Sequence, residues 1–360
     1  MYYSRALLLS LLLLLIACED KTPQLFALAE DYQRIDADWL TLEEATLRRQ
    51  TISNISYDLQ IDLTKSTRYS GRVAIQFDYN LAPFPLTIDF VGGEAELITV
   101  NNKPIGIDYS GNFIIIPADK LANGTNIIKV QYSHPYASNG TGLVRYVDPA
   151  DKKIYIYSSF EPYAANKLFP SFDQPNLRAT YKLKVVAPTN WTVISSVRES
   201  EVITDGPYQR WTFPESENFS SYLFPLHAGP WHIWESKAGK TPLRLMARES
   251  LTKTVDAHKW LRTTQQGFDF YESYFNVSYP YTKYDQLMVP NFNAGSLENI
   301  AAVTFKENEL GIGKTKVVRK KVIAGTILKP LSYMWFGNLV TIDWWNDDWL
   351  KQGFASYITA

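Results

Sequence analysis

The chain has 360 residues, of which 46% are hydrophobic and 20% are charged. This length predicts two domains at about 150 residues each, and the apolar content excludes a wholly disordered chain. With 36 Lys and Arg against 37 Asp and Glu, the net charge is −1, so no general polycation is available to bind nucleic acid, and we expect no nucleic-acid partner.

The N-terminus carries an apolar run over residues 6–16. It is shorter than the roughly 20 residues of a membrane-spanning helix and is typical of an export signal. The run ends at Leu15-Ile16-Ala17-Cys18, which resembles a bacterial lipobox, and this is the only cysteine of the chain. We predict a lipoprotein signal peptide over 1–18 and a lipid on Cys18 that anchors the exported protein to a bacterial membrane, on the periplasmic or cell-surface side. An ordinary signal with a chance cysteine is the alternative.

Residues 19–50 are predicted to form a tether with some helical character. From 51 to 238 the apolar residues mostly recur at every second position, which is typical of half-buried strands. This stretch is therefore predicted to be an N-terminal all-β domain. Two alternating sets are clear: Tyr57, Leu59, Ile61 and Leu63, and then Val73, Ile75, Phe77 and Tyr79.

After Gly239 the pattern changes to helical spacing. A helix is predicted near 254–275 with Leu261, Phe268 and Tyr271 on one side, a second over about 315–336, and a third from near Asp348. Residues 239–360 are thus predicted to form a second domain that mixes strands and helices. The fold class is multidomain, β plus α+β.

Several motifs are distinctive, namely FPSFDQPNLRA at 169–179, NAGSLEN at 293–299, MWFGNLVT at 334–341 and WLKQGFASY at 349–357. In this order they resemble the M1 family of zinc aminopeptidases, the aminopeptidase N group, from about residue 57 to residue 360. The resemblance implies a saddle-like N-terminal β domain followed by the first part of a thermolysin-like catalytic domain. It also implies zinc-dependent removal of N-terminal residues from peptides, and a downstream chain or domain that completes the fold.

At the positions of the family's zinc site, this chain departs from the family pattern. The resemblance implies His-Glu-x-x-His on a helix and a Glu nineteen positions after the second His, and the residues at these positions are Lys329, Pro330, Tyr333 and Gln352. The Lys329 ammonium repels Zn²⁺, the Tyr333 phenol is protonated at neutral pH, and the Gln352 amide is a weak ligand. Pro330 has no acid–base group and interrupts a helix. We therefore predict no metal, no other cofactor and a catalytically inactive family member.

The residues that the resemblance assigns to the substrate are better retained. Glu298, within Gly295-Ser296-Leu297-Glu298-Asn299, matches the loop glutamate that holds the substrate α-amine, and Glu161 matches a second glutamate from the β domain. Two carboxylates suit one ammonium, because a buried cation requires paired anions. The resemblance therefore points to peptides with a free N-terminus as partners. The alternative is that packing alone retains both acids.

Two other interpretations stay open. The first is a working metalloaminopeptidase with an unorthodox site, against which the absence of His at 329 and 333 counts. The second is a decayed or truncated gene product, which would expose apolar surface that includes Trp335, Trp344 and Trp345.

Overall fold

A computed structural model describes residues 34–310 and 316–360, without the side chains at 309–310 and 316–321. The predicted signal peptide, Cys18 and residues 19–33 of the predicted tether lie outside the described residues. The rest of that segment is packed rather than extended. Helix α1 (Leu42–Thr51) begins at Thr41, whose side chain accepts a hydrogen bond from the Glu44 N–H at 3.1 Å. Its buried Arg48 contacts Asp89 of the β domain at 2.7 Å.

The β domain follows α1 and contains three sheets. The largest is eight-stranded, in the order β12-β13-β10-β1-β2-β7-β4-β5; a four-stranded sheet has the order β11-β14-β9-β8, and β3 pairs with β6. The strands are β1 (Ile52–Asp62), β2 (Arg68–Tyr79), β3 (Leu86–Asp89), β4 (Glu94–Val100), β5 (Lys103–Ile105), β6 (Phe113–Ile116), β7 (Gly124–Pro135), β8 (Gly142–Val147), β9 (Ile154–Ser159), β10 (Ala179–Pro188), β11 (Thr192–Ile194), β12 (Glu201–Asp205), β13 (Tyr208–Phe213) and β14 (His227–Gly229).

The core of the β domain lies where the alternation predicts it. The two alternating sets lie on β1, on β2 and at Leu63, which directly follows β1. All eight residues are buried, because successive side chains of a strand point to opposite faces. Strand β1 pairs antiparallel with β2 and parallel with β10, and Tyr57 stacks on Tyr181 with ring centroids 5.2 Å apart. The predicted all-β character of this part of the chain is confirmed.

The second domain contains a mixed five-stranded sheet, in the order β15-β16-β17-β19-β18, with helices packed against it. Strand β15, just before the predicted boundary at 238, pairs with β16 in this sheet. The three residues expected on one side of the first long helix are buried. The elements are β15 (His232–Ala238), β16 (Thr241–Ala247), α2 (Ala257–Phe275), β17 (Tyr284–Val289), β18 (Ser296–Leu297), β19 (Ala302–Lys306), α3 (Lys316–Ser332) and α4 (Asp348–Thr359).

A shared apolar cluster joins the two domains. Tyr155 and Tyr157 of β9 pack with Leu287 and Val289 of β17, and the Tyr157 hydroxyl donates to the Pro290 carbonyl at 2.6 Å. Burial of apolar area in such a cluster holds the domains together. The end of β9 is therefore placed against the second domain.

The tryptophans near the end of the chain differ from the expectation. Trp335 is buried and its indole N–H donates to the Val277 carbonyl at 2.8 Å, so its expected exposure is wrong. Trp344 and Trp345 are half-buried. The large apolar side chains that are exposed on α4 are instead Trp349, Leu350 and Tyr357. Within residues 34–310 and 316–360, no helix has the length and apolar content that crossing a membrane requires.

Candidate functional site

Helix α3 leads to the positions at which the resemblance expects zinc ligands. Pro330 lies in its last turn, where the ring nitrogen has no hydrogen to donate to the Thr326 carbonyl. The helix ends at Ser332, so Tyr333 lies just beyond it, earlier than the predicted end near 336. The Lys329 ammonium lies 6.0 Å from the centroid of the Tyr333 ring, so these two side chains remain neighbours.

Tyr333 and Gln352 contact each other directly. The Tyr333 hydroxyl donates a short hydrogen bond to Oε1 of Gln352, which lies on α4. Burial raises the pKa of the Tyr333 phenol, and the Glu298 carboxylate raises it further. The phenol is therefore protonated at neutral pH, and its proton and the amide oxygen satisfy each other.

This set of side chains does not fit a zinc ion. Zinc in proteins is bound by imidazole, thiolate or carboxylate groups, whereas here a phenol donates to an amide. Two ammonium groups flank that phenol, since Lys329 and Lys351 lie 6.0 and 5.4 Å from the Tyr333 ring centroid. In the described part of the chain, no group of three or more His, Cys, Asp or Glu side chains is arranged to hold a metal ion.

The loop that carries Glu298 is held by its neighbours. Strand β18 pairs antiparallel with β19, and the Gly295 carbonyl accepts a hydrogen bond from the Lys306 N–H at 2.9 Å. Ser296 is half-buried on β18, while the buried Asn299 side chain donates to the Thr304 hydroxyl at 3.2 Å. The Glu298 carbonyl accepts from the Asn338 side chain at 2.7 Å. These contacts fix the backbone on both sides of the buried Glu298 carboxylate.

Glu161 approaches from the β domain. It follows β9 by two residues, and the bond between Glu161 and Pro162 is cis. Its side chain keeps 24% of its surface exposed, whereas that of Glu298 keeps 4%. The structure therefore brings together the two glutamates that the sequence singled out, one from each domain.

The ammonium that these glutamates contact belongs to the protein itself. Lys351 lies on α4, and its Nζ contacts Glu298 Oε1 at 2.8 Å, Glu161 Oε1 at 3.0 Å and Asp348 Oδ1 at 3.1 Å. The ring centroids of Tyr222 and Tyr333 each lie 5.4 Å from the same nitrogen, which is within the range of cation–π attraction. Only 1% of the Lys351 side chain is exposed.

The charged side chains of this group shift one another's pKa values. Burial disfavours the charged form of Lys351, but Glu298, Tyr222 and Glu161 outweigh burial and raise its pKa. Burial and the neighbouring Glu298 raise the pKa of Glu161 from 4.5 to about 7, and Lys351 reduces that effect only in part. The ammonium is thus permanently charged, while Glu161 titrates near neutral pH.

Sequence reasoning missed Lys351 and Asp348 as members of the site. A signal was present, because residues three apart lie on the same face of a helix, and Asp348 and Lys351 have this spacing next to Gln352. The contact between Lys351 and Glu161 spans 190 positions. No local pattern indicates a contact of that separation.

Comparisons with known proteins show which family the chain resembles over most of its length. Residues 53–223 match the Peptidase M1 N-terminal domain, and residues 260–360 match the Peptidase family M1 domain. Aminopeptidase N of Streptomyces lividans is 37% identical over 330 residues, which cover 89% of this chain and 38% of that protein.

Animal relatives are similar as well. Aminopeptidase N of Rattus norvegicus is 32% identical over 219 residues, covering 59% of this chain and 23% of the relative. Glutamyl aminopeptidase of the same species is 28% identical over 328 residues, covering 85% and 34%. The chain thus spans well under half the length of each of these curated relatives.

Proposed function

Since the chain belongs to the M1 peptidase family, we propose that it is a non-catalytic member that binds peptides with a free N-terminus and does not hydrolyse them. One observation carries this proposal: carboxylates from two domains, Glu161 and Glu298, lie within 3.0 Å of a single ammonium group. A peptide α-ammonium has the same charge and the same three N–H donors as that group. The site is therefore chemically suited to a free peptide N-terminus.

The non-catalytic part of the proposal is supported by the side chains at the family's zinc positions. A zinc peptidase needs an open metal that activates water and a nearby general base. Lys329 and Tyr333 offer an ammonium and a protonated phenol instead, and Pro330 stands where the base would be. No hydrolytic step can be assigned to these groups.

Zinc content tests this part. The full natural chain, including any sequence that follows residue 360, is purified after growth with added zinc, dialysed, and analysed by elemental mass spectrometry. We expect far less than one zinc per chain. A matched variant restores the family residues through Lys329→His, Pro330→Glu, Tyr333→His and Gln352→Glu, and is expected to retain zinc.

Activity separates the proposal from the rival interpretation of an unorthodox metalloaminopeptidase. Aminoacyl p-nitroanilides are incubated with the natural chain, and we expect no release above the uncatalysed rate. Near-stoichiometric zinc that survives dialysis, together with release that a chelator abolishes, would establish the rival. A cooperative thermal unfolding transition of the same sample would count against a decayed gene product.

We further propose that a lipid on Cys18 anchors the protein to a bacterial membrane after export. The support is the lipobox-like sequence Leu15-Ile16-Ala17-Cys18 behind an apolar run. Expression with a radiolabelled fatty acid tests it. Label should enter the natural protein and be absent from Cys18→Ser, which should also leave the membrane fraction; equal labelling of both would contradict the anchor.

A further inference from the structure

We infer that Lys351 is an intramolecular occupant of the ammonium site, so that a peptide N-terminus binds there only when the Lys351 side chain is displaced. This inference rests on the proposed function in one respect, because it describes how the same peptide site is regulated. Its structural basis, an internal cation held by Glu161, Glu298 and Asp348, is independent of any peptide.

The Lys351 ammonium already uses the oxygens of the site. Two of its three N–H donors bond to Glu298 at 2.8 Å and Glu161 at 3.0 Å, and Asp348 Oδ1 forms a further ion pair with it at 3.1 Å. A second ammonium at the same point would meet Lys351 at contact distance and repel it. The internal lysine and an incoming N-terminus therefore exclude each other.

The protein also accommodates the aliphatic part of the Lys351 side chain. Gly337 has φ +146°, and a Cβ at that position would lie 3.1 Å from Cδ of Lys351. The aliphatic part of Lys351 therefore passes directly over a glycine, at a distance that leaves little room for a larger residue. Its ammonium nitrogen lies 5.4 Å from the ring centroids of both Tyr222 and Tyr333.

The net charge around the Lys351 ammonium is negative when its three carboxylate neighbours are ionised. Three carboxylates surround one ammonium, which leaves a surplus of negative charge when all are ionised. Such a surplus attracts a further cation. An incoming peptide ammonium would thus be drawn toward the site, yet would have to compete with Lys351 for the same oxygens.

The strength of this competition follows from the covalent attachment of Lys351 to the same chain. A group attached nearby acts at an effective concentration of about millimolar or higher, and an external ligand binds only to the fraction of molecules in which the site is open. We therefore expect the natural protein to bind N-terminal ammonium groups at least about tenfold more weakly than a variant without the lysine.

Calorimetric titration at pH 7.5 tests the inference with a defined probe, the tripeptide Leu-Gly-Gly and its N-acetylated form. Lys351→Met should bind the free tripeptide at least about tenfold more tightly than the natural protein, and neither should bind the acetylated form. Adding Glu298→Gln to Lys351→Met should abolish the gain. Lys182→Met, which removes a distant exposed lysine, controls for the change in net charge.

Equal affinity of Lys351→Met and the natural protein for the free tripeptide would overturn the inference and leave the proposed peptide binding intact. If neither binds, peptide binding fails, and a second measurement decides on Lys351. In Lys351→Ala, 1-propylammonium should raise the melting temperature by at least about 2 °C, whereas 1-propanol should not. The natural protein should not respond to either. No response of Lys351→Ala to propylammonium would also overturn the inference, and circular dichroism checks that both variants are folded.

Discussion

Two groups of buried charges in this chain differ in their balance. Where the segment that carries α1 packs on the β domain, Asp89 and Glu44 contact Arg34 and Arg48. Two acids therefore face two bases, and Asp89 meets the two guanidinium groups at 2.6 and 2.7 Å. Around Lys351 three acids face one base. Both groups are held by short contacts, but among the side chains in these ion pairs only the second set carries surplus charge.

One acid of each group shows this difference in its pKa, while burial also raises the pKa of Glu44 in the first group. Burial would raise the pKa of Asp89, but Arg48 and Arg34 outweigh burial and lower it to about 2. Around Lys351 the balance is reversed, because burial and Glu298 raise the pKa of Glu161 to about 7. Removing one member of a balanced buried group is costly because it leaves an uncompensated charge, whereas strongly shifted pKa values such as that of Glu161 are typical of binding sites.

The largest effect is expected from breaking the balanced group. Arg48→Met leaves Asp89 buried with one base fewer, and removal of one partner of a buried ion pair costs about 3–5 kcal/mol of unfolding free energy. Urea unfolding followed by circular dichroism at pH 7 measures it. A loss below about 1 kcal/mol would show that the group contributes no more than an exposed pair.

A smaller loss is expected from Lys351→Met, because Glu161 can take up a proton where Asp89 cannot. We expect about 1–3 kcal/mol at pH 7.5 and less at pH 5.5, where protonation removes part of the surplus negative charge. Urea unfolding at both pH values tests this. The same loss at both would contradict the role assigned to Glu161.

Glu161→Gln should alter the pH dependence. The pKa of Glu161 is raised in the folded state from 4.5 to about 7, so its contribution to stability is complete below pH 4.5 and is lost as the pH rises through 7. The natural protein should therefore lose roughly 2–3 kcal/mol relative to Glu161→Gln between pH 4.5 and 8. Paired unfolding curves across this range measure the difference, and a constant difference would refute the shift.

The smallest effect is expected at an exposed pair. Arg68 contacts Glu94 at 2.9 Å, but their side chains are 37% and 65% exposed. Arg68→Met should change the unfolding free energy by no more than about 1 kcal/mol. This variant serves as the reference for the three changes above, and a larger loss would show that contact geometry outweighs burial in this protein.

Much of the fold could be predicted from local pattern. Alternation identified the buried faces of β1 and β2, and helical spacing placed α2 and the start of α4 close to their observed positions. The ends of elements were less accurate. Helix α3 stops at Ser332 rather than near 336, because the N–H groups of Met334 and Trp335 bond to carbonyls three residues back and not four.

By itself, the sequence determined which chemistry is lacking at the positions where the resemblance expects zinc ligands. The ligand properties of Lys329, Tyr333 and Gln352 belong to the side chains, so no packing arrangement turns them into imidazoles or a carboxylate. Only the tertiary structure decided what the retained glutamates contact. Lys351 and Glu161 are 190 positions apart, and they meet because the packing of the two domains brings α4 close to the segment that follows β9. A contact of that kind depends on the packing of two domains, which no local sequence pattern encodes.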